Sequence, residues 1–339
     1  MLNDKSILVT GGTGSFGQKF IKSILEKFRP RRVIVYSRDE WKQSEMQKCK
    51  DFTQGQVRFF LGDVRDKERL CLAMRGVDFV IHAAALKQVP AAEYNPHEFI
   101  KTNVDGATNV VEASLFAGVK KVIALSTDKA VNPVNLYGAT KLCSDKVFVA
   151  ANSYAGDEGT IFSVVRYGNV VGSRGSVVPL FAKQRETGTL SITNPDMTRF
   201  LITLENGVDF VLQCLDQMVG GELFVPKIPA CTVGDIASVI APDCEWNTIG
   251  LRPGEKMHET LIPEDESRNV LEFDSHYVIQ PIQSFWGNKI GILGGVSCSD
   301  GFQYASNCNC ENLTPEDLKE LLIDFIPSSA TPSKDTVSL

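Results

Sequence analysis

The chain has 339 residues, of which 43% are hydrophobic and 22% are charged, and its formal net charge is −6. This length and composition indicate a globular protein with one large domain and a smaller lobe, or with two domains. The acidic balance argues against a nucleic-acid or membrane-surface function, so we expect no nucleic-acid partner and no membrane association.

The cysteines and the start of the chain predict the compartment. The nine cysteines are odd in number, and most lie in apolar or helical patterns, where a free thiol is a small core residue. No secretory signal pattern precedes the first predicted strand, and no apolar run approaches the roughly 18 residues that a membrane span needs. We therefore expect a cytoplasmic protein. Four histidines without a close pair predict no metal site.

The first predicted element is a short apolar strand, 6–9, that leads into a glycine-rich turn and then a helical pattern. Gly11 suits a tight turn, Gly14 a close approach of backbone to a pyrophosphate, and Gly17 close helix packing. The helix N-terminus offers N–H groups to phosphates. A structural glycine turn remains open if nothing else agrees. The predicted dinucleotide contacts are Gly11, Thr13, Gly14, Ser15, Phe16 and Gly17.

Apolar strand patterns alternate with helical stretches through the first half of the chain. The predicted strands are 6–9, 32–36, 57–61, 77–81, 121–126 and 161–166. Near-continuous apolar strands separated by helices predict a parallel sheet buried on both faces. The expected fold class is therefore α/β, a Rossmann-type doubly wound parallel sheet with a smaller C-terminal substrate-binding lobe.

The second half of the chain predicts that lobe. We expect residues 1–170 to bind NADP, 171–281 to form the substrate lobe interleaved with the first domain, and 282–339 to be a C-terminal extension. Predicted helices cover 204–218, 233–240 and a short stretch from Pro315 that Thr314 caps. The loop 172–176 is rich in glycine and hydroxyl groups and suits a sugar and a diphosphate. About the last 11 residues have the composition of a disordered tail.

The carboxyl end of the second strand bears on which dinucleotide binds. Ser37 and Arg38 stand where an NAD site usually carries an acid for the ribose 2′-hydroxyl. A guanidinium there can hold a 2′-phosphate through a charge-assisted contact, which favours NADP. Asp39, one residue later, leaves NAD open. Lys42 is assigned to the same cofactor site.

The next two strand ends add further cofactor contacts. An acid after the third strand commonly accepts a hydrogen bond from an adenine amine, whereas Asp66 suits a helix N-cap better. Small residues after the fourth strand let the backbone lie against a flat cofactor. Lys87 can reach a phosphate or a sugar oxygen, unless it is an ordinary exposed loop lysine. The predicted contacts are Asp63, Val64, Ala83, Ala84 and Lys87.

The fifth strand is followed by the residues best suited to proton transfer. Tyr137 and Lys141 share one face of a predicted helix. A nearby ammonium group favours tyrosinate, so we expect Lys141 to bring the pKa of Tyr137 toward the working pH. Thr127 can donate to the same substrate oxygen. Asp128 and Lys129 follow it directly, either as an acid–base pair or as a surface ion pair.

These motifs resemble the extended short-chain dehydrogenase/reductases over about residues 5 to 280. The shared segments are 11–17, 82–85, 137–141, 166–170 and 252–255. In that family Asn169 and the Arg-Pro-Gly-Glu loop would meet the diphosphate of a sugar nucleotide, and Val170 would touch the cofactor. The predicted substrate contacts are Lys87, Tyr167, Asn169, Arg199, Arg252 and Glu255.

Within that family the chain is most similar to the inverting UDP-N-acetylglucosamine 4,6-dehydratases of the pseudaminic acid type, which feed flagellin glycosylation. The segments 36–40, 83–87, 125–130, 135–141, 173–177 and 197–200 carry this similarity. It implies UDP-N-acetylglucosamine as substrate, NADP as cofactor and a homo-oligomer, a hexamer by resemblance. A related capsule-pathway branch, a 4,6-dehydratase/5-epimerase, lacks the tyrosine found here at Tyr137.

The implied chemistry assigns a role to each residue of the predicted catalytic set. Tyr137 takes the C4 hydroxyl proton, Lys129 removes the C5 hydrogen, and Asp128 protonates the leaving C6 hydroxyl before C5 is reprotonated from the other face. Lys129 must be neutral, so desolvation near Lys141 predicts a lowered pKa for Lys129. The predicted catalytic residues are Lys129, Asp128, Tyr137, Lys141 and Thr127.

Two other functions remain open on the sequence. A UDP-sugar 4-epimerase needs Tyr137 but no acid–base pair at 128–129, and it releases no water. A non-catalytic NADP-sensing or scaffold protein on the same fold often loses the tyrosine or the lysine, and both are present here.

Overall fold

The computed structural model describes residues 1–53, 55–156, 159–173, 175–282, 292, 294–308 and 311–326. The strands are β1 Ser6–Thr10, β2 Arg32–Ser37, β3 Val57–Leu61, β4 Phe79–His82, β5 Lys121–Thr127, β6 Ile161–Tyr167, β7 Asn169–Val170, β8 Thr189–Ile192, β9 Thr198–Ile202, β10 Leu223–Pro226, β11 Ala230–Thr232, β12 Glu245–Thr248, β13 Thr260–Ile262, β14 Val270–Glu272, β15 His276–Ile279, β16 Val296–Ser297 and β17 Tyr304–Ala305.

Helices of very different lengths connect these strands. They are α1 Ser15–Lys27, α2 Glu40–Lys48, α3 Lys67–Ala73, α4 Val89–Tyr94, α5 Pro96–Phe99, α6 Gly106–Ala117, α7 Leu136–Ala150, α8 Asn152–Ala155, α9 Val177–Gln184, α10 Leu204–Gln217, α11 Val233–Ile240 and α12 Pro315–Leu321. A π-helical stretch, Ile100–Asp105, joins α5 to α6. No described helix combines the length and the apolar character that a membrane span requires.

The central sheet confirms the predicted fold class. Its order in the described residues is β16-β14-β15-β10-β6-β5-β4-β1-β2-β3. The strands from β3 to β10 run parallel, and β15, β14 and β16 extend the sheet antiparallel. The order reverses between β1 and β4, which is where a doubly wound sheet opens a ligand crevice at its carboxyl edge.

The six predicted strands are present within two residues of their predicted bounds. The largest difference is at β4, which begins at Phe79 rather than at residue 77. Val77 instead donates its backbone N–H to Met74 and closes the turn after α3. Five of the six strands are largely buried, as the sequence predicts. The exception is β3 at the edge of the sheet, where Val57 is the buried residue and Arg58 and Leu61 are exposed.

The glycine-rich turn between β1 and α1 has the predicted strained conformation. Gly11 lies at φ +65°, a region that costs other L-residues free energy. A Cβ at Gly17 would lie 2.6 Å from the Gly12 Cα and 2.7 Å from the Gly11 carbonyl oxygen. The first turn of α1 therefore packs directly on the turn backbone, which only glycine permits.

Cap residues fix the predicted helices of the second half. Thr203 caps α10, and Thr232 and Thr314 form capping boxes with Asp235 and Asp317 at the starts of α11 and α12. These bonds satisfy N–H groups that a helix start leaves free. All three predicted helices are confirmed.

A second apolar cluster lies apart from the core around the central sheet. It includes Phe181, Ile192, Ile236 and Ile240, and the C-terminal helix α12 adds Leu318. Two small sheets, β11-β9-β7 and β12-β8, belong to the same half of the chain. The proposed boundaries at 170 and 281 stay a prediction, and the expected disorder after residue 328 lies outside the described residues.

Candidate active site

A cavity of about 540 Å³ lies at the carboxyl edge of the central sheet. The glycine-rich turn, the loop after β4, the end of β5 and helix α7 surround it. A smaller pocket of about 290 Å³ continues from it toward the ends of β2 and β3. The predicted residues that line one or both are Gly11, Thr13, Gly14, Ser15, Phe16, Gly17, Ser37, Arg38, Lys42, Asp63, Val64, Ala83, Ala84, Lys87, Thr127, Asp128, Lys129, Tyr137, Lys141, Tyr167, Asn169 and Val170.

The glycine-rich turn fits a dinucleotide. A Cβ at Gly11 would lie 2.9 Å from the Ala84 backbone nitrogen, so the two loops approach as closely as glycine allows. Gly14 caps α1 without a side-chain hydrogen bond, and the first turn of α1 carries no acid. The helix N-terminus thus faces the cavity with the partial positive charge that a pyrophosphate requires.

The smaller pocket carries cations at its outer edge. Arg38 is half exposed, and its Nη1 lies 3.8 Å from Asp63 Oδ2. Asp39 accepts a hydrogen bond from the Lys42 backbone as the cap of α2 and pairs with the Lys42 ammonium at 2.7 Å. Arg38 and Asp39 both border the pocket, but the acid that left NAD open is engaged as a helix cap.

Asp63 lines the same pocket, and its surroundings favour the ionised carboxylate. Burial opposes its ionisation, but the hydrogen bonds and charge of Arg65, with the charge of Arg38, outweigh burial, so the pKa of Asp63 lies below its ordinary value. A carboxylate only accepts hydrogen bonds, as an adenine amine needs. Asp66 caps α3, which confirms the N-cap predicted for it, and the adenine contact of Asp63 stays a prediction.

Asp128 and Lys129 form a buried ion pair at the end of β5. Asp128 is 1% exposed, and the Nζ of Lys129 lies 3.1 Å and 3.3 Å from its two carboxylate oxygens. Thr127 donates its hydroxyl to Asp128 Oδ1 at 2.7 Å. A surface ion pair would not be buried in this way, so the interpretation of Asp128 and Lys129 as a surface ion pair is excluded.

The predicted pKa of Lys129 is wrong in direction. Burial lowers the pKa of Lys129, but the carboxylates of Asp128 and Glu259 outweigh it and hold the pKa above its ordinary value. Glu259 is a site residue that the sequence did not predict. Its Oε1 lies 3.3 Å from Lys129 Nζ, and its position shortly after the Arg-Pro-Gly-Glu loop is the one signal that could have indicated it.

Tyr137 and Lys141 lie in α7 and are both buried, but their coupling differs from the expectation. Burial raises the pKa of Tyr137 to about 12, and the lysine that opposes this is Lys129. Lys141 donates its ammonium to the Leu125 carbonyl at 2.8 Å. Burial also lowers the pKa of Lys141, partly offset by Asp145. The expected lowering of the Tyr137 pKa by Lys141 is therefore not found.

The predicted substrate residues divide into two groups. Lys87, Tyr167 and Asn169 line the cavity, whereas Arg252 and Glu255 do not. Arg252 is exposed and lies 3.9 Å from Glu255 across the turn, because Gly254 at φ +82° folds the loop back on itself. The structure therefore does not bring this pair to the site.

Arg199 also departs from its predicted role. Its guanidinium donates to the backbone carbonyls of Lys256 and Met257 instead of facing the cavity. It thus fixes the segment that carries Glu259.

The loop 172–176 meets the cavity through residues that the sequence analysis did not assign to the site. Ser173, Gly175 and Ser176 line it, and Arg174 lies outside the described residues. Ser176 Oγ and Asn169 Oδ1 are buried without a hydrogen-bond partner in the described part of the chain. A bound polar ligand would satisfy such atoms, whose burial otherwise costs free energy.

Comparisons with known proteins agree with this geometry. The polysaccharide biosynthesis protein family matches residues 7–281. The chain is 54% identical over 330 residues to a UDP-N-acetylglucosamine 4,6-dehydratase (inverting) of Campylobacter jejuni strain 81-176, covering 95% of this chain and 98% of that protein. It is 40% identical to a UDP-glucose 4-epimerase of Rickettsia bellii strain RML369-C, covering 96% and 97%.

A solved structure shares the whole architecture. The X-ray structure of Pen from Bacillus thuringiensis superposes with a TM-score of 0.86 at 34% identity, covering 96% of this chain and 98% of that one.

Proposed function

The chain belongs to the polysaccharide biosynthesis protein family, within the extended short-chain dehydrogenase/reductases, and from this membership we propose that it is an NADP-dependent, inverting UDP-N-acetylglucosamine 4,6-dehydratase. Its product would be the 4-keto-6-deoxy sugar nucleotide with C5 inverted, for a pseudaminic acid-type pathway. The observation that carries the proposal is the buried Asp128–Lys129 pair beside Tyr137 in a dinucleotide cavity.

The residues of the cavity divide the chemistry among themselves. A bound nicotinamide dinucleotide would accept hydride from the sugar and return it. Tyr137 takes the proton of the C4 hydroxyl, and Thr127 donates to the same oxygen. The new ketone acidifies the hydrogen on C5, which Lys129 removes while Asp128 protonates the leaving C6 hydroxyl.

The ion pair in the structure differs by one proton transfer from the neutral amine and carboxylic acid that the elimination requires. Lys129 holds the proton as an ammonium group, and Asp128 Oδ1 lies 3.1 Å away. Moving that proton to Asp128 produces the neutral amine and the carboxylic acid together, with no proton taken from solvent. After elimination the pair is again ammonium and carboxylate, because Lys129 gains the C5 proton and Asp128 gives its own to water. Buried groups that exchange protons in this way titrate as a unit.

The reaction with UDP-N-acetylglucosamine tests this function. Purified protein in D₂O should release water and form a 4-keto product that carries solvent deuterium at inverted C5, as nuclear magnetic resonance would detect. A product with retained C5, or no 4-keto product, would contradict the proposal.

A UDP-sugar 4-epimerase is the second candidate, because the chain is 40% identical to a protein of that name. It would convert the substrate to its C4 epimer without loss of water and without deuterium at C5. The same experiment therefore separates the two functions. We also propose a cytoplasmic homo-oligomer, a hexamer by resemblance, which sedimentation analysis would test.

Arg38→Ala should weaken NADP binding about 10-fold to 100-fold and change NAD binding much less. The expected size is that of one charge-assisted hydrogen bond to the 2′-phosphate, about 1.5–3 kcal/mol. Titration calorimetry with each dinucleotide measures it. Arg268→Ala, which removes an exposed arginine paired with Asp300, is the control. Equal losses for both dinucleotides would exclude a 2′-phosphate contact.

A further inference from the structure

Glu259 is a second buried carboxylate that contacts Lys129. It is 3% exposed, and its Oε1 lies 3.3 Å from Lys129 Nζ. The Asp128 oxygens lie 3.1 Å and 3.3 Å from the same nitrogen. The Lys129 amine is therefore held between two carboxylates, and the chemistry proposed above uses only one of them.

The backbone around Glu259 is fixed by residues from distant parts of the chain. The Glu259 N–H donates to Ser306 Oγ at 2.9 Å, and the Ser306 N–H donates to the Glu259 carbonyl at 2.8 Å. Arg199 holds the preceding carbonyls of Lys256 and Met257. The carboxylate is thus presented from a firm backbone, as a positioning group requires.

The second oxygen of Glu259 indicates that the side chain is not there for stability. Oε2 is buried and has no hydrogen-bond partner among the residues that the structure describes. Burying a carboxylate oxygen without a partner destabilises the folded chain. An apolar side chain of the same size would fill the space without that cost, so the carboxylate calls for a functional explanation.

We propose that Glu259 is a positioning residue for the elimination step, which accepts one N–H of the Lys129 amine and thereby turns the nitrogen lone pair toward the sugar. This inference rests on the proposed dehydratase function and deepens it. A neutral amine has two N–H bonds and one lone pair. In the structure Lys129 Nζ donates to the Asp128 oxygens and forms an ion pair with Glu259 Oε1. One N–H of the neutral amine directed to each carboxylate would leave the lone pair free for the cavity that Lys129 lines.

The elimination step balances with Glu259 as a spectator. The electron pair of the C5–H bond becomes the C5–C6 double bond, and the proton goes to Lys129. The C6–O bond breaks with its electron pair on oxygen, and the Asp128 proton completes water. Glu259 neither gains nor loses a proton, but its charge stabilises the ammonium group that forms on Lys129.

The charge of Glu259 also sets a pH dependence. Its removal leaves Asp128 as the carboxylate facing Lys129, opposed by neighbouring cations. The charged and titratable groups that face Lys129 are Asp128, Glu259, Arg199, Lys87, Lys256 and Tyr137. With one carboxylate fewer, the pKa of Lys129 falls and Lys129 loses its proton at lower pH. The alkaline limit of activity should therefore move to lower pH.

The test compares Glu259→Met with Glu259→Gln in the full-length enzyme. Met removes both the acceptor and the charge, whereas Gln keeps a carbonyl acceptor. We expect Met to slow deuterium exchange at C5 about 10-fold to 100-fold. Formation of reduced nicotinamide from bound NADP in a single turnover should stay within about twofold, because oxidation at C4 does not use Lys129. Gln should restore most of the exchange, and both variants should show the lowered alkaline limit.

Each outcome supports or overturns the inference. C5 exchange as fast in Glu259→Met as in the wild type would show that Glu259 has no role. An equal loss of C4 oxidation in that variant would show a purely structural role. Gln as slow as Met would overturn the acceptor role. An unchanged alkaline limit in both would overturn the role of the charge. If Glu259→Met does not fold, Glu259→Gln alone tests the inference, because its alkaline limit of activity must still move to lower pH. Glu264→Gln, an exposed acid five residues on, is the control. A wild type inactive on UDP-N-acetylglucosamine would instead refute the proposed function.

Discussion

Lys129→Ala is expected to abolish deuterium incorporation at C5 and to slow dehydration about 10²-fold to 10⁴-fold, the range of a positioned general base. In the proposed mechanism the amine of Lys129, which contacts Asp128 and Glu259, is the base that removes the C5 proton. Oxidation at C4 should survive but slow, because Tyr137 and Thr127 remain while the Lys129 charge that lowers the pKa of Tyr137 is lost. The measurement is nuclear magnetic resonance of the product in D₂O together with single-turnover absorbance of reduced nicotinamide.

The control for this variant is Lys146→Ala, which removes an exposed lysine of α7 and should leave both steps unchanged. Thermal unfolding must accompany the kinetics, since Lys129→Ala leaves two buried carboxylates without their shared cation. Inversion of C5 at nearly the wild-type rate would refute the assignment of Lys129 as the base.

Gly17→Ala is expected to destabilise the fold by about 1–3 kcal/mol and to weaken dinucleotide binding at least about tenfold. The added Cβ would lie 2.6 Å from Gly12 Cα and 2.7 Å from two backbone oxygens, so the start of α1 must move away from the turn. Since the same backbone lines the cavity, stability and binding should fall together. Urea unfolding and titration calorimetry measure the two effects.

Gly207→Ala is the matched control, because it places the same methyl group inside another helix. The nearest atom to a Cβ at Gly207 is the Ile202 Cδ1 at 3.9 Å, which is ordinary contact. Alanine is the better helix former, so this variant should gain about 0.4–1 kcal/mol without a change in binding. Equal effects of the two substitutions would show that packing against the turn does not require glycine at residue 17.

Local sequence patterns predicted the framework because they report short-range physics. The apolar runs of β1 to β6 and the cap residues of α10 to α12 each depend on neighbours a few residues away. The positive φ of Gly11 follows from the same kind of local constraint. The meeting of these segments at one edge follows from the doubly wound topology, which brings the residues predicted to bind the cofactor together around the cavity.

The electrostatics of the site could not be predicted in the same way. The sequence suggested that burial would lower the Lys129 pKa, but the charge of Asp128 raises it, and so does that of Glu259, which meets Lys129 only through the tertiary fold. The roles of Arg199, Arg252 and Glu255 also depend on how distant loops fold. Those loops turned two guanidinium groups away from the cavity.

The hydrogen bonds between Glu259 and Ser306 have a consequence for the order in which the protein becomes competent. The glycine-rich turn and β1 to β6 are complete once the first half of the chain has left the ribosome. Ser306 emerges much later, together with β17, which pairs with the strand directly after Glu259. The hydrogen bonds that hold Glu259 beside Lys129 therefore become available only late in synthesis, well after the residues of the predicted dinucleotide site.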